Sequence, residues 1–456
     1  MRIPPPVRTR LRLGIPGLVL ALLAAPAWGA LHIRITHGVR TATPIAVVPF
    51  AWQAGGRPPF PVATVIAHDL VRTGLFRTLS SRDLVQRPSR PAQINFLNWK
   101  VLGMSYLVIG RVVPGHRPGG WRLVFHLYNV PAAHQVLAFA IPTNRQRLRL
   151  SAHDASDLIF EKLTGQLAPF TSRIAYVESH RQGARRSYAL MIADYGGHHP
   201  QAVVRSVQPI VSPAFSPHGN RIAYVSFENG FPAIYVQNLA NGHRRRVLDR
   251  PGLDETPVFT PGGTHLLVTV TSAGGSSAIG RLNLRTLGFR ILTHASGINT
   301  EPADFPGGGR LAFTSDREGS VQIYVKTLPS GRTRRLTFHG HYNAAPAVSP
   351  TGRELAFVAR GQGLLRIARM TLKNHAVRLL TPGPLDDTPC FAPGGSIILF
   401  SARQGNHRVL ETVSTHGDVI RPIRIPLAAG ESVTTPTWGP DLPGSPHLSP
   451  PGEELP

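Results

Sequence analysis

A motif that returns every 43 to 47 residues is the feature that most limits how this chain can fold. In each copy, a proline is followed four residues later by a second proline, and glycine follows soon after in all but the last copy. The copies begin at Pro213, Pro257, Pro302, Pro346, Pro389 and, in degenerate form, Pro436. A period of about 40 to 50 residues with several short strands in each unit is typical of a β-propeller.

The strands around the motif predict how the ring closes. Each complete motif leads into an apolar strand such as Arg221–Val225, and a further strand and an arginine-rich fourth strand follow. The apolar strand Arg173–Val177 opens the array without a motif before it, whereas the motif at Pro436 has no apolar strand after it. We therefore expect six blades over residues 171–441, with the C-terminal segment as the innermost strand of the first blade.

Residues 30–170 have a different pattern, which predicts a small α/β domain ahead of the propeller. Helical spacing of apolar residues is found over Val62–Phe76 and Ser151–Leu163. The predicted strands are Ile45–Val48, Tyr106–Ile109 and Arg122–Tyr128. The fold class that follows is a small N-terminal α/β domain joined to a C-terminal, all-β six-bladed propeller.

The first 29 residues have the order of a secretory signal peptide. Arg8, Arg10 and Arg12 directly precede the apolar run Leu13–Ala25, and Ala27 and Gly29 supply the small residues of a cleavage site before Ala30. We expect export to the periplasm and no direct insertion of the mature protein into a membrane. The proline- and serine-containing residues 442–456 are predicted to form a disordered tail.

The charge of the chain raises the question of a polyanionic partner. There are 49 lysines and arginines against 24 acidic residues, a net charge of +25. Such a charge can drive binding to nucleic acid, but the arginines are scattered and their longest block is Arg244–Arg246. We therefore expect a positively charged surface and no nucleic-acid partner. The single cysteine, Cys390, excludes an internal disulfide and a cysteine-based zinc site.

The sequence lacks the motifs of several enzyme classes. It has no Gly-x-Ser-x-Gly, His-Glu-x-x-His or Gly-x-x-x-x-Gly-Lys segment. The carboxylate pairs Asp254–Glu255 and Asp386–Asp387 suit acid–base catalysis, but both occupy the same slot of the repeat. His198–His199 lies in a turn without a nearby third metal ligand. We predict no catalytic site, metal or cofactor, with a periplasmic propeller hydrolase or lyase as the alternative.

The segment at the start of each innermost strand is rich in polar side chains. Examples are residues 252–256, 297–301, 341–345 and 385–388. In a propeller these segments meet around one mouth of the central channel, where they bring carboxylates, amides and hydroxyls together. We interpret this mouth as a binding face for a protein or peptide. The alternative is that these groups only stabilise their own turns.

The chain resembles the TolB family, the periplasmic components of the Tol-Pal system. The order of signal peptide, small α/β domain and six-bladed propeller is that of the family. The matching segments are Ile35–Val39, Pro44–Phe50, Asn299–Pro302 and Leu311–Asp316. The resemblance covers essentially the whole mature chain up to about Pro440.

The resemblance implies an interaction protein rather than an enzyme. The propeller mouth would bind the peptidoglycan-associated lipoprotein Pal, and the N-terminal strand would contact the inner-membrane protein TolA. Other outer-membrane or periplasmic proteins belong to the same set of expected partners, and the implied role is outer-membrane constriction during cell division and outer-membrane integrity. The residues expected to bind Pal are Thr256, Thr300, Glu301, Asn343 and Asp387. The residues expected to contact TolA are Leu31, His32, Ile33, Arg34 and Ile35.

The most specific prediction concerns Glu301. It directly precedes Pro302, and a residue before proline is restricted towards extended backbone. We therefore expect an extended Glu301 whose carboxylate has a fixed direction and accepts hydrogen bonds from Pal.

Overall fold

The computed structural model describes residues 42–249, 254–272, 274–294, 297–329 and 331–445. The predicted signal peptide (1–29) lies outside the described residues, as do residues 446–456 of the predicted tail. The same holds for the predicted TolA-contacting residues Leu31, His32, Ile33, Arg34 and Ile35. Within the described ranges, no helix is both long and apolar enough to cross a membrane.

The N-terminal domain is a mixed sheet with two longer helices packed together on it. Its strands are β1 (Thr43–Val47), β2 (Ala51–Trp52), β3 (Phe76–Thr78), β4 (Tyr106–Pro114), β5 (Trp121–Asn129) and β6 (His134–Thr143). Its helices are α1 (Val62–Arg72), α2 (Phe96–Val101) and α3 (Leu148–Thr164), with a short 3₁₀ turn at Pro91–Gln93. The strand order is β3-β1-β4-β5-β6, and β2 also pairs with β4. Strand β1 runs parallel to β3 and β4, and β5 is antiparallel to both of its neighbours, β4 and β6.

The sequence pattern explains where the helices lie and end. In α1, Val62, Ile66 and Leu70 form a buried stripe against the sheet. The helix ends at Arg72, earlier than the expected Phe76, because Gly74 takes a φ of +74° and turns the chain into β3. Helix α3 likewise ends before Gly165, whose φ is +67°.

The C-terminal region forms six four-stranded antiparallel sheets, which confirms the predicted six-bladed propeller. We number the blades along the chain, and each runs from its inner to its outer strand. Blade 1 contains β30 (Glu431–Asp441), β7 (Ser172–Gln182), β8 (Arg185–Asp194) and β9 (Gln201–Ser206). Blade 2 contains β10 (Ile210–Phe215), β11 (Arg221–Ser226), β12 (Ala233–Asn238) and β13 (Arg244–Leu248). Blade 3 contains β14 (Asp254–Phe259), β15 (His265–Thr271), β16 (Ser277–Asn283) and β17 (Phe289–Ile291).

The remaining blades have the same plan. Blade 4 contains β18 (Asn299–Asp304), β19 (Arg310–Ser315), β20 (Gln322–Thr327) and β21 (Thr333–Arg335). Blade 5 contains β22 (Asn343–Val348), β23 (Glu354–Gly361), β24 (Leu364–Thr371) and β25 (Val377–Leu379). Blade 6 contains β26 (Asp387–Phe391), β27 (Ile397–Gln404), β28 (His407–Ser414) and β29 (Ile420–Pro422).

The ring closes where the C-terminal strand joins the first blade, as the two unmatched parts of the repeat predict. Strand β30 is antiparallel to β7, with Thr434 opposite Val177. The indole Nε1–H of Trp438 donates a hydrogen bond of 2.6 Å to the hydroxyl of Ser172. Residues 442–445, which the sequence places in the tail, form a turn in which the Leu442 amide donates to the carbonyl of Thr171.

The two domains share one hydrophobic core rather than meeting through a thin linker. Buried side chains of α1 and α3, such as Leu70 and Phe160, belong to the same cluster as Tyr195 and Trp438 of blade 1. A large apolar interface of this kind holds two domains in a fixed arrangement. The N-terminal domain therefore docks on blades 1 and 6 as a rigid neighbour.

Candidate functional site

Each of the six inner strands contains a β-bulge at the first proline of the motif. The pairing of the inner strand with its neighbour slips by one residue there, for example between Thr300 and Ala303. A proline fits such a position because the bulge leaves it outside the ladder of hydrogen bonds. In every blade, the residue before this proline has a positive φ between 46° and 55°: Ser212, Thr256, Glu301, Ala345, Thr388 and Thr435.

The expected extended backbone of Glu301 is therefore wrong. Its φ is +55°, in the left-handed region. The bulge takes the Glu301 amide out of the pairing with β19, and this amide instead donates to the Thr269 hydroxyl of blade 3, at 3.3 Å. The local preference of a residue before proline is thus overridden by the bulge and by a hydrogen bond between blades.

The six bulges surround a small cavity on the propeller axis. Its volume is about 280 Å³, and its walls include the six positive-φ residues and the prolines that follow them. The site is concave and combines rigid apolar proline rings with a few polar groups, which is the usual make-up of a recognition pocket. Two of the predicted Pal-binding residues, Thr256 and Glu301, line it.

A chain of hydrogen bonds links three neighbouring blades along one side of this cavity. The hydroxyls of Thr256 and Thr269 are 2.8 Å apart, and Thr269 also accepts from the amide of Glu301. The Oε2 atom of Glu301 accepts two hydrogen bonds of 2.7 Å each, one from the Thr314 hydroxyl and one from the Ala345 amide in blade 5. Within the part of the chain that the structure describes, the second carboxylate oxygen, Oε1, accepts none and is available to a partner.

Acidic groups concentrate on this side of the mouth in spite of the positive charge of the whole chain. Burial and the nearby charge of Glu301 raise the pKa of Glu255. Burial and Glu301 also raise the pKa of Tyr342, with a smaller opposite effect from Arg360. The carboxylates of Glu255 and Glu301 therefore lie close enough to influence each other, and this part of the mouth suits a partner that brings hydrogen-bond donors or positive charge.

Asp387 lies in blade 6 and is already ion-paired. Its carboxylate contacts the guanidinium of Arg408 and also accepts from the Thr388 hydroxyl at 3.1 Å. Its sequence neighbour Asp386 is buried and accepts from the Gly383 amide at 3.1 Å. The two carboxylates therefore have different partners, and each is held in its own loop.

The other two predicted Pal-binding residues lie off the cavity wall. Thr300 is part of β18 and pairs with Thr314. Asn343 is buried, and its amide nitrogen donates to the Gln322 side chain and to the His339 carbonyl, both at 2.8 Å. This geometry suits a residue that stabilises its loop, and the Pal contact expected of Asn343 stays a prediction.

Large apolar side chains are exposed on the loops of the same end. Val207 and Ile298 come just before inner strands, Phe338 lies between β21 and β22, and Phe231 lies on the β11–β12 hairpin. The antiparallel pairing brings that hairpin to the end where the inner strands begin. Val207 is 75% and Phe338 64% exposed. Exposed aromatic and aliphatic groups around a polar centre are typical of protein-binding surfaces.

The N-terminal domain contacts the opposite end of the propeller. Arg72 of α1 donates to the Thr412 hydroxyl at 3.0 Å, close to where β28 ends, and Gly74 lies against Ser414. Ser414 pairs with Ile397, at the end where the inner strand of blade 6 finishes. The mouth therefore faces away from the N-terminal domain.

Sequence reasoning missed the hydroxyl residues on the second strands. Thr269 and Thr314 supply the hydrogen bonds between blades. They lie 45 residues apart, at the same point of an otherwise apolar strand, and this periodic polar residue was the available signal. Across the described ranges, no group of three or more histidine, cysteine or acidic side chains is arranged to hold a metal ion.

Comparison with known families gives matches over both domains. Residues 31–136 match the family described as TolB amino-terminal domain. Residues 160–442 match the family described as TolB beta propeller domain.

Individual relatives give the same result. The Tol-Pal system protein TolB of Xanthomonas euvesicatoria pv. vesicatoria is 40% identical over 429 residues, which is 93% of this chain and 97% of that protein. The protein of the same description from Thioalkalivibrio sulfidiphilus is 42% identical over 238 residues, about half of each chain (52% and 54%). The crystal structure of TolB from Acinetobacter baumannii is 34% identical, with a TM-score of 0.79 over 88% of this chain and 97% of that one.

Proposed function

The chain belongs to the TolB family, and on that premise we propose that it is a periplasmic interaction protein that links Pal to TolA. In this proposal the propeller mouth binds Pal, and the N-terminal residues Leu31, His32, Ile33, Arg34 and Ile35 contact TolA. The linkage supports invagination of the outer membrane during cell division and keeps that membrane intact. The names of the relatives describe a component of the Tol-Pal system and indicate no catalytic activity.

The proposal that Pal binds here rests on the structure of the propeller mouth. A rigid proline-lined cavity of about 280 Å³ lies on the propeller axis, at the bulges of the six inner strands. Exposed apolar groups lie on the loops at the end where the inner strands begin, and the carboxylate of Glu301, with one unused oxygen, lies in the cavity wall. Such a surface offers apolar anchors and a directed hydrogen-bond acceptor to a folded partner, at little entropic cost because the bulges fix the backbone.

Two aromatic residues allow a matched test of the mouth. Phe338 is exposed beside the mouth, whereas Phe139 is an exposed aromatic on β6 of the N-terminal domain. We expect Phe338→Ala to weaken binding of soluble Pal about fivefold or more, because exposed aromatic anchors carry roughly 1–2 kcal/mol in such interfaces. Phe139→Ala is the control and should leave the affinity unchanged in calorimetric titration.

Recovery of Pal from a membrane fraction by the immobilised full chain is the first measurement. If Pal is not recovered, or if both phenylalanine variants bind it like the wild-type chain, the mouth is not the Pal-binding surface.

The TolA arm of the proposal is tested separately. Deletion of residues 30–36 should abolish TolA binding and leave the propeller folded, because the propeller strands lie between Ser172 and Asp441. Thermal unfolding of the deletion variant checks that the propeller is intact. Unchanged affinity of the deletion variant for TolA would count decisively against the N-terminal segment as the contact.

Export is tested on the same material. N-terminal sequencing of periplasmic protein should give Ala30 as the first residue. A chain that still begins at Met1 in that fraction would contradict the predicted signal peptide.

A further inference from the structure

One face of the N-terminal sheet is covered by the chain between β3 and β4, which includes α2. Helices α1 and α3 pack on the opposite face, in the core that also contains Tyr195 and Trp438 of blade 1. The cover has a hydrophobic cluster of its own, in which Trp99 of α2 is fully buried together with Leu107 and Ile109 of β4. The outer surface of this cover therefore points away from the helices that contact the propeller.

The cover exposes aliphatic side chains to solvent. In α2, Leu97 and Val101 lie one turn apart on the same side of the helix and are 65% and 80% exposed. Val85, in the loop before α2, is 57% exposed. The amide of Asn95 donates to the Gln86 side chain at 3.2 Å, which holds this loop against the start of α2. The three aliphatic groups therefore come from neighbouring parts of one surface.

Cations from the same segment accompany these aliphatic groups. Arg82, Arg87 and Lys100 are exposed. Within the described residues none of the three forms an ion pair, and Arg87 donates to the neutral backbone carbonyl of Ser81 at 3.4 Å. The apolar and the charged residues together form what we call the α2 surface: Arg82, Val85, Arg87, Leu97, Lys100 and Val101.

The N-terminal domain as a whole has little negative charge on its surface. Residues 42–170 contain 14 lysines and arginines but five acidic residues. The acidic residues Asp69, Asp154, Asp157 and Glu161 are buried. The fifth, Asp83, is exposed. The α2 surface therefore lies in a positive field that the rest of the domain surface does not cancel.

We propose that the α2 surface binds peripherally to the anionic phospholipid surface of a bilayer. The cations contact lipid phosphates, and the aliphatic side chains enter the boundary between headgroups and acyl chains. An extended anionic surface fits better than an acidic protein, because the positive charge is spread over the domain and the exposed apolar groups of the α2 surface are aliphatic rather than aromatic anchors. This contact needs no membrane-spanning segment and is separate from the binding of Pal at the mouth.

Lipid binding is tested by sedimentation of the mature chain, purified after export, with two kinds of vesicle. One is an equal mixture of phosphatidylcholine and phosphatidylglycerol, and the other is phosphatidylcholine alone. At low ionic strength we expect at least tenfold stronger binding to the mixed vesicles, since each cation close to an anionic membrane surface contributes about fivefold. Absence of binding to the mixed vesicles, or equal binding to both, would overturn the proposal. Binding of soluble polyglutamate in place of the vesicles would assign the surface to an acidic protein.

The location is tested by two variants with the same change of net charge. Arg82→Gln with Arg87→Gln removes two cations of the α2 surface, and we expect binding to the mixed vesicles to fall about tenfold or more. Arg185→Gln with Arg186→Gln removes two exposed cations of the β7–β8 hairpin in the propeller and should change this binding by less than about twofold. Equal loss in both variants would show a response to net charge only and would overturn the site.

The aliphatic part of the contact has its own pair of variants. Leu97→Gln with Val101→Gln should weaken binding to the mixed vesicles about fivefold or more, because the buried apolar area is lost. Leu167→Gln with Leu379→Gln changes two exposed aliphatic residues outside the α2 surface and should leave the binding unchanged. All four side chains are exposed, so both variants should keep the melting temperature of the wild-type chain. Wild-type vesicle binding by the Leu97/Val101 variant would overturn the assignment of α2 to the bilayer contact.

Discussion

Removal of the Glu301 carboxylate tests the most detailed feature of the mouth. In Glu301→Ala, the hydroxyl of Thr314 and the amide of Ala345 lose a shared charged acceptor, Oε2. The loss is incomplete, because the Ala345 amide is also 3.1 Å from the Thr314 hydroxyl oxygen and can turn to it. We therefore expect the variant to lose stability and to bind Pal less tightly.

The magnitude follows from these bonds. Hydrogen bonds to a charged group contribute about 1.5–3 kcal/mol each. With one bond lost and the other replaced by a weaker one, the free energy of unfolding should fall by about 2–3 kcal/mol. For a domain of this size, that is a decrease in melting temperature of roughly 4–12 °C. Glu301→Gln keeps an oxygen that can accept both bonds and should lose only about 1 kcal/mol.

Thr435 provides a matched control because it holds the same position of the repeat in blade 1, before Pro436. Its hydroxyl has no hydrogen-bond partner among the described residues, and its φ is also positive. Thr435→Ala should therefore leave the unfolding free energy within about 0.5 kcal/mol of wild type. Denaturant unfolding and titration with soluble Pal are measured on all three variants.

Two results would refute parts of this reasoning. A Glu301→Ala chain as stable as Thr435→Ala would show that the bonds between blades 4 and 5 contribute nothing. A destabilised Glu301→Ala chain with wild-type affinity for Pal would leave Glu301 a purely structural residue and remove it from the Pal surface.

Three further predictions concern single positions. A Cβ at Gly394 would overlap a backbone carbonyl oxygen of the segment that joins the domains, so Gly394→Ala should lower the free energy of unfolding by about 2–4 kcal/mol. Gly262 holds the equivalent position of blade 3, where there is open space, and Gly262→Ala should be nearly neutral in denaturant unfolding. Ala345→Gly relieves the backbone strain of a φ of +50°, so this variant should be at least as stable as wild type. Ala347→Gly on the same strand should lose about 1 kcal/mol of unfolding free energy. Equal losses in the two variants would show that Ala345 is not strained. Burial raises the pKa of the Cys390 thiol to about 12, so the thiol stays protonated at pH 8. It should therefore react slowly with iodoacetamide in the native protein and fast in guanidinium. Equal rates under the two conditions would contradict the burial of the thiol.

The propeller could be predicted from sequence because its signals are local and repeated. The proline motif and the apolar strand each recur six times, and five of the six motifs carry the glycine turn, so an error in one copy is corrected by the others. The ring closure followed from counting, since Arg173–Val177 lacked a motif and Pro436 lacked a strand. The two longer helices of the N-terminal domain were also visible, but α1 ends at Arg72 rather than Phe76 and α3 begins at Leu148 rather than Ser151. The short helix α2 was not predicted.

The contacts between distant parts of the chain could not be predicted in this way. The positive φ of Glu301 depends on a bulge and on Thr269 in the neighbouring blade. The network around Asp69 joins α1, α3 and blade 1, and its partners are 84 to 126 residues away. No spacing in a single sequence identifies such partners, because each is fixed by packing rather than by local backbone preference.

The closure of the ring by β30 has a consequence for the order in which the protein can be made. Strand β7 appears early in synthesis, but its partner β30 follows more than 250 residues later. At about 5–20 residues per second, this is a delay on the order of 13–50 s. During that time the edge of β7 exposes unpaired backbone groups that invite pairing with other chains. A chain cut before residue 431 would leave this edge of β7 unpaired permanently.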